Sequence, residues 1–230
     1  MPPAALVAGE LAVRGDEHHY LGRVRRARVG DAVEIVDGEG RRAAAVIERI
    51  TLAETTLRVG EPEVIAAKPP FVRALVPLIK GDRMDACLEK LVEVGVDAIV
   101  VWPAARSVVK LDAKRDARIA KYQAAAQAAA RQCGRAQVPS VSYAADLATA
   151  IANLPAGARL VLDPASDASP VIGGALDVTI ASGPEGGLAS GELEQLAQAG
   201  FVAIGLGPRI LRAETAPMIA VALIRATTES

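Results

Sequence analysis

The sequence predicts an α/β protein in which a small β-barrel or β-sandwich precedes a larger domain built on a parallel β-sheet. Residues 11–64 contain short strand-like segments separated by glycine and aspartate turns. After residue 70, apolar runs alternate with segments of helical periodicity. Between the two patterns stand Pro69 and Pro70, which cannot continue a helix or a central strand. We therefore predict one domain over residues 1–68 and a second over residues 69–230.

The first domain shows the pattern of a small barrel or sandwich. Its strands are "AVEIVD", "AAAVIERI" and "TTLRVG", and the turn "GEGRR" follows the first of them. Several short strands at close spacing are typical of such folds. His18 and His19 precede these strands without a third ligand at metal spacing. We expect them to belong to a helical turn or cap and predict no metal site.

The second domain begins with the nearly unbroken apolar run "VRALVPLI", which is typical of a strand covered on both faces. A helix should follow, capped by Asp82 and ended by Gly95. "DAIVVW" predicts the next buried strand. The alanine-rich segment from Asp112 to Gln132 predicts a long helix that stops at Gly134.

The remainder continues this alternation with the strands "RLVLD", "DVTIAS" and "FVAIGLG". Between the last two, Ser190 is placed to cap a short helix that Gly200 ends. Strands that alternate with helices indicate a largely parallel sheet covered on both faces. The last helix, from about Thr215 to Thr227, carries "APMIAVALI" and is apolar nearly all round. Such a helix is buried all round, which predicts a subunit interface.

The composition excludes several classes of protein. With 51% hydrophobic but only 3% aromatic residues, the chain should pack an aliphatic core. We find no apolar run of about 18 residues that would span a bilayer, and no pattern of a signal peptide. The two cysteines, Cys87 and Cys133, show no disulfide or zinc spacing. We therefore expect a cytoplasmic protein without a metal.

A net charge of −1 argues against nucleic-acid binding by bulk electrostatics. Positive charge is nevertheless concentrated in "GRVRRARVGD". This stretch carries Arg23, Arg25, Arg26 and Arg28. On composition alone it is a solvated strand face or a patch that contacts phosphate groups, because the planar guanidinium matches phosphate oxygens.

Three loops of the second domain follow predicted strands: "LDPAS", "SGPEGG" and "LGPRIL". In open parallel sheets, ligands bind beyond the carboxyl ends of the strands. Glycines in these loops would let the backbone approach a flat heterocycle closely. The chain has no GxGxxG at a first strand–helix turn and no GxxxxGK[ST]. Its two histidines lie in the other domain, so no Ser/His/Asp set can form. This pattern favours catalysis by positioning.

"SGPEGGL" followed by "LGPRILRAETA" resembles the paired signature of the 16S ribosomal RNA (uracil-N3)-methyltransferases, which belong to the SPOUT superfamily of knotted methyltransferases. The resemblance covers nearly the whole chain. "HHYLGRVRRARVGD" with "DGEG" is similar to the PUA-like RNA-binding barrel of that family, and "KGDRMDACLEKLVEVGV", "ARSVVK" and "RQCGR" are similar to its middle segments. In one departure, Ala213 stands where the family has a threonine.

The resemblance implies a trefoil knot in the second domain, a homodimer, and S-adenosylmethionine as the cofactor. Its substrate would be 16S ribosomal RNA of the small ribosomal subunit, methylated at N3 of a uridine. The cofactor contacts carried over by motif are Leu162, Gly183, Glu185, Gly186, Gly187, Leu206, Gly207, Ile210 and Leu211. Given the family, we interpret the arginine patch as an RNA-binding surface.

The chemistry of the implied reaction suggests catalytic residues. Uracil N3 must lose its proton, and a guanidinium would stabilise the negative charge that spreads onto the ring carbonyls. Arg209 and Arg212 lie beside the third loop, and Arg212 is the first choice for this role. Glu214 would accept the proton or, alternatively, interact with the N-terminal dipole of the last helix.

Two other functions remain open at this point. One is a related knotted methyltransferase that acts on another RNA, at a ribose 2′-hydroxyl. The other is a non-catalytic RNA-binding assembly factor that has kept the fold.

Overall fold

The computed structural model describes residues 6–109, 115–152 and 154–228. These residues form two compact units. The first contains the described residues up to Ala67 together with the short segment Gly134–Val138. The second begins at Lys68 and contains the remaining residues. The first residues of the helix predicted from Asp112 lie outside the described part of the chain.

The first unit is built on an antiparallel sheet, in which β1 pairs with β4, β4 with β3, and β3 with both β2 and β5. Short α-helix and π-helix turns connect β1 to β2. The elements are β1 (Gly9–Arg14), α1 (Gly15–His19), the π-helical turn Tyr20–Val24, β2 (Ala32–Val36), β3 (Arg41–Ile50), β4 (Glu54–Val59) and β5 (Glu63–Val64). The antiparallel strands agree with the PUA-like barrel predicted for this part of the chain.

Side chains alternate along β3 as the sequence pattern requires. Ala43, Ala45 and Ile47 are buried, and the residues between them are exposed. They pack with Leu57 of β4 in an aliphatic core. His18 lies on α1, where its Nδ1 is 2.8 Å from the hydroxyl of a strand residue, Thr55. This contact gives His18 a structural role in the unit.

The segment Gly134–Val138 belongs to the first unit although the sequence boundary places it in the second domain. It is held there by backbone hydrogen bonds. The Gly40 amide donates to the Ala136 carbonyl at 3.1 Å, and the Val138 amide donates to the Gly38 carbonyl at 2.9 Å. Hydrogen bonds between residues so far apart in the chain leave no local signal in the sequence.

The second unit contains a parallel sheet of six strands in the order β11-β9-β10-β6-β7-β8. Its elements are β6 (Phe71–Pro77), α2 (Asp82–Glu93), β7 (Ala98–Trp102), α3 (Arg115–Gln132), β8 (Ser140–Tyr143), α4 (Leu147–Ala152), β9 (Ala158–Leu162), β10 (Asp177–Ala181), α5 (Ser190–Gln198), β11 (Val202–Ile204) and α6 (Ala216–Thr228). Neighbouring strands of this sheet pair in parallel. The predicted α/β architecture is confirmed.

Two elements of the second unit were not predicted from the sequence. β8, with the sequence "SVSY", is a short strand at the edge of the sheet, where polar side chains replace the apolar run of a central strand. α4 is only six residues long. Both are too short for hydrophobic periodicity to identify them.

The predicted helix caps were wrong by one residue. Asp82 is the first residue of α2, and the capping position is Gly81, with φ of 63°. A positive φ favours glycine, so Gly81 takes the capping position and the helix begins at Asp82, one residue earlier than predicted. Ser190 is likewise the first residue of α5, and Ala189 precedes it at the cap. There the carboxylate of Glu192 accepts the Ala189 amide at 2.7 Å.

The last helix, α6, buries one face within the chain. Pro217, Ala220, Val221 and Ile224 are buried, whereas Leu223 is 41% exposed. The single chain therefore leaves part of the apolar surface of α6 uncovered, and burial of that surface in a subunit interface stays a prediction. None of the helices that the structure describes could cross a membrane.

Arg225 fixes α6 to the amino-terminal ends of β6 and β7. It donates to the Gly95 carbonyl at 2.7 and 2.9 Å and to the Pro70 carbonyl at 2.8 Å. It also pairs with the Asp97 carboxylate at 2.5 Å. The Arg225 side chain is 11% exposed, so these contacts satisfy a guanidinium that is largely removed from water.

Candidate functional site

A cavity of about 480 Å³ lies in the second unit, at the carboxyl ends of β9, β10 and β11. The three loops singled out in the sequence meet there. They contribute Asp163 and Pro164, the glycine loop (residues 182–188) and a segment that carries Arg209 and Arg212, here called the arginine loop (residues 206–213). The volume is typical of a site for a small molecule or cofactor.

The walls of the cavity combine apolar side chains with exposed backbone. Leu162, Ile204, Leu206 and Leu211 supply aliphatic surface. Gly187 and Gly207 have φ of 73° and 100°, the left-handed region that favours glycine. The turn around Gly187 is closed by its amide, which donates to the Pro184 carbonyl at 2.8 Å. Such a cavity can bind a flat heterocycle between aliphatic side chains and main-chain groups.

All of the predicted cofactor residues except one line this cavity. They are Leu162, Gly183, Glu185, Gly187, Leu206, Gly207, Ile210 and Leu211. The exception is Gly186, which faces Arg106. The Gly186 carbonyl accepts a hydrogen bond from Nη1 of Arg106 at 2.9 Å, and a Cβ at this glycine would lie 3.2 Å from Cβ of Arg106. The absence of a side chain at residue 186 therefore accommodates the arginine.

Two of the three predicted catalytic residues line the cavity, and the third does not. Arg209 and Arg212 line the cavity, and the Arg212 side chain is 76% exposed. Glu214 is not a lining residue; its side chain is 16% exposed, and Oε1 lies 3.8 Å from Nη1 of Arg212. The other oxygen, Oε2, has no hydrogen-bond partner among the described residues. This position favours the structural alternative for Glu214 over proton transfer in the cavity.

The buried carboxylate of Glu214 influences a buried thiol. Burial, and secondarily the negative charge of Glu214, raise the pKa of Cys87 to about 12. Cys87 therefore stays a neutral thiol at physiological pH and is not a nucleophile.

Sequence reasoning missed two charged residues that line the cavity. Arg83, on the first turn of α2, pairs with Glu185 of the glycine loop at 3.0 Å. Asp163 directly follows β9, and its Oδ1 accepts the Ala165 amide at 2.9 Å. The position of Asp163 after a strand was a usable signal. No sequence signal pointed to Arg83, because α2, which carries it, comes beside the glycine loop only through the pairing of β6 with β10.

A separate cluster of positive charge lies in the first unit. Arg23, Arg25, Arg26 and Arg28 are exposed, within and just after the π-helical turn. Within the described parts of the chain, these four guanidinium groups make no ion pair, whereas Arg14 of the same unit pairs with Glu54 at 2.7 Å. Unpaired guanidinium groups at a surface are available to an anionic partner such as phosphate. Among the residues that the structure describes, no three His, Cys, Asp or Glu side chains are grouped so that they could hold a metal ion.

Comparison with known proteins gives two family matches. Residues 67–225 match the model of an RNA methyltransferase domain, and residues 13–53 match that of an RNA methyltransferase PUA domain.

The chain is also similar to known proteins along nearly its whole length. It is 32% identical to the ribosomal RNA small subunit methyltransferase E of Mycobacterium tuberculosis, over 99% of this chain and 89% of that protein. It is 29% identical to the protein of the same name from Bacillus subtilis, over 96% and 92%. Among solved structures, it resembles a ribosomal RNA small subunit methyltransferase E from Neisseria gonorrhoeae bound to S-adenosyl methionine. That match has a TM-score of 0.86 and 28% identity, and covers 99% of this chain and 95% of the other.

Proposed function

Because the chain belongs to the ribosomal RNA small subunit methyltransferase E family, we propose that it methylates N3 of a uridine in 16S ribosomal RNA with S-adenosylmethionine. It is an enzyme whose larger unit has the fold of the SPOUT methyltransferases. The observation that carries the proposal is the cavity at the carboxyl ends of β9, β10 and β11, formed by the glycine loop and its two neighbours.

The residues of this cavity fit S-adenosylmethionine. The aliphatic side chains of Leu162, Leu206 and Leu211 suit an adenine ring, and the backbone at Gly183 and Gly207 can approach its edges. Asp163 supplies negative charge for a cofactor that carries a sulfonium and an ammonium group, whereas the charge of Glu185 is already paired with Arg83. When bound, the cofactor supplies an activated methyl group, so the protein needs no nucleophile of its own.

The chain's own task is to orient the uracil and to stabilise the charge that develops on it. Arg212 lines the cavity with an exposed guanidinium and is placed to stabilise a uracil anion; Arg209 lies beside it. We propose Arg212 for this role and Arg209 as a supporting positive charge. Glu214, which is largely buried outside the cavity wall, would stabilise the loop and the start of α6.

The four arginines after α1 would bind the RNA backbone. Their guanidinium groups are exposed and make no ion pair within the described residues, as expected of groups that exchange solvent counterions for phosphates. The rest of the chain compensates this charge, since the net charge is −1. The RNA-binding surface is therefore local.

Replacing Arg23, Arg25 and Arg26 together by alanine should weaken binding of 16S ribosomal RNA and flatten its salt dependence. Each lost phosphate contact lowers the slope of log K against log [salt] by about 0.7–0.9. We would measure binding at several salt concentrations, with Arg14→Ala as the matched control because Arg14 pairs with Glu54. An unchanged slope in the triple variant would show that the cluster is only a solvated face.

We further propose a homodimer formed through α6. Met218, Ile219, Ala222 and Leu223 lie on the side of this helix that the chain leaves only partly covered. A second copy would cover this apolar surface. Sedimentation at micromolar concentration should show a dimer, and Leu223→Glu should shift the equilibrium towards monomer. A clean monomer of the unmodified chain would contradict this arrangement.

The trefoil knot is proposed from the same family membership. The close passage of Gly205 past the loop after β9 supports it, since a Cβ at Gly205 would lie 1.8 Å from the Ser166 carbonyl oxygen. Such a close approach is expected where one segment threads past another. A protein that modifies ribosomal RNA would act in the cytoplasm during ribosome biogenesis.

Mass spectrometry of 16S ribosomal RNA tests the function directly. Small subunits that lack the modification would be incubated with the protein and S-adenosylmethionine. We expect one added methyl group on the base of a single uridine. A methyl group on a ribose 2′-hydroxyl would instead identify an enzyme of different specificity. No methylation together with no cofactor binding in calorimetry would indicate a non-catalytic assembly factor.

A further inference from the structure

The glycine loop is held from outside the cavity by a second loop, residues 103–109, which we call the β7 loop because it follows β7. β6 lies between β7 and β10 in the sheet, and all three strands are parallel. Their carboxyl ends therefore share one edge, and the β7 loop can reach past the end of β6. Two separate contacts connect it to the glycine loop and to the residue that follows it.

The first contact is made by the carboxylate of Glu192, on the first turn of α5. Its Oε1 accepts the Ala105 amide at 2.7 Å, and its Oε2 accepts the Ala189 amide at 2.7 Å. Glu192 is only 9% exposed. Hydrogen bonds to an ionised carboxylate are among the stronger ones in proteins. A single side chain thus ties the β7 loop to the residue at which the glycine loop ends.

The second contact is the hydrogen bond from Nη1 of Arg106 to the Gly186 carbonyl, at 2.9 Å. The arginine also packs along the glycines. A Cβ at Gly186 would lie 3.2 Å from Cβ of Arg106, and one at Gly187 would lie 3.8 Å from Nη1. Gly186 does not line the cavity, whereas its neighbours Glu185 and Gly187 do. Arg106 therefore supports the loop from the side opposite the cavity.

This support is needed because a glycine-rich loop loses more conformational entropy on ordering than other segments do. A loop that is ordered before the ligand arrives spares that cost and binds more tightly. We propose that Glu192 and Arg106 are positioning residues for the methyl donor, which hold the glycine loop in its binding conformation through the β7 loop. The inference rests on the proposed function, because it assumes that the cavity binds S-adenosylmethionine.

Calorimetry with S-adenosylmethionine tests the inference on the full-length protein. In Glu192→Gln, an amide NH₂ must face one of the two backbone N–H donors. One of the two hydrogen bonds is therefore lost and replaced by a repulsive contact between donors. We expect the Kd to rise about tenfold in this variant and about fivefold in Arg106→Ala, through lost preorganisation. Arg106→Lys retains a donor for the Gly186 carbonyl and should stay within about twofold of the unmodified protein. Glu194→Gln, an exposed glutamate on the same helix, is the matched control and should not change the Kd.

Steady-state kinetics distinguish positioning from a general loss of structure. The KM for S-adenosylmethionine should rise in Glu192→Gln and Arg106→Ala, while kcat at saturating cofactor changes less than about threefold, because the loop is ordered once the ligand is bound. In the double variant the two effects on Kd should combine less than additively, since both act through one loop.

The outcomes separate this inference from the proposed function. Unmodified protein that does not bind the cofactor would refute the proposed function. If the unmodified protein binds the cofactor and Arg106→Ala binds it with the same Kd, the positioning role of Arg106 is overturned. Equal losses in Arg106→Ala and Arg106→Lys would do the same. If Glu192→Gln does not fold, the variants Arg106→Ala and Arg106→Lys still test the inference. Arg106 is exposed, so neither substitution buries an unpaired group.

Discussion

Gly205→Ala should lower the free energy of unfolding by about 3 kcal/mol or more and abolish binding of S-adenosylmethionine. Its Cβ would lie 1.8 Å from the carbonyl oxygen of Ser166 and 3.0 Å from the carbonyl carbon, so backbone and not a flexible side chain would have to move. That backbone is fixed on both sides. The Gly205 amide donates to the Ala168 carbonyl at 2.9 Å, and the Ser166 hydroxyl donates to the Ala203 carbonyl at 3.0 Å.

The expected loss of binding follows from the position of this contact. Gly205 stands between β11 and the arginine loop, and Ser166 stands in the loop after β9. Both loops contribute walls to the cavity, so moving them apart changes its shape. Urea denaturation would give the free energy of unfolding, and calorimetry would give the cofactor affinity.

The control for this prediction is Gly191→Ala. Gly191 lies on the first turn of α5, its Cβ would meet no atom within 4 Å, and its φ is not positive. Alanine there should be neutral or stabilise the protein by up to about 1 kcal/mol, because it favours the helix. A Gly205→Ala variant as stable as the Gly191→Ala variant would disprove the tight backbone contact.

Arg212→Ala should lower kcat for methyl transfer about 100-fold or more and leave the cofactor Kd nearly unchanged. Removing one donor that stabilises a developing anion costs turnover of this size in other enzymes. Arg212 is suited to the role because its side chain lines the cavity and is 76% exposed, so it can reach a base that enters from solvent. The Arg212 guanidinium lies 3.8 Å from the Glu214 carboxylate. This ion pair adds little stability, because the arginine side chain is largely exposed to water.

The pH dependence of kcat provides a second measurement on this variant. A nearby guanidinium lowers the pKa of the uracil N3–H, because it stabilises the anion that forms when the proton leaves. Without Arg212, that pKa should rise, and the rising part of the pH–rate profile should move to higher pH. Arg212→Lys should recover part of the rate, and Arg209→Ala should have a smaller effect than Arg212→Ala. Equal losses of turnover and cofactor binding in Arg212→Ala would refute the assignment.

Several features of this protein follow from the sequence alone. The apolar runs and the helical periodicity predicted the parallel sheet, because a strand that is buried on both faces must itself consist almost entirely of apolar residues. The same patterns placed the glycine-containing loops after β9, β10 and β11. Loops at the carboxyl ends of parallel strands share one edge of the sheet, so the position of the cavity could be predicted as well.

Other features were decided only by the tertiary structure. Gly186 and Gly187 are adjacent in one motif, yet Gly187 lines the cavity and Gly186 faces Arg106. The sequence also could not show that Arg83 would reach Glu185, or that Glu214 would not line the cavity. Hydrophobic patterns identify elements and the loops between them. The direction of each side chain within a loop depends on which distant segments pack against it, and for this site those segments are α2, the β7 loop and α5.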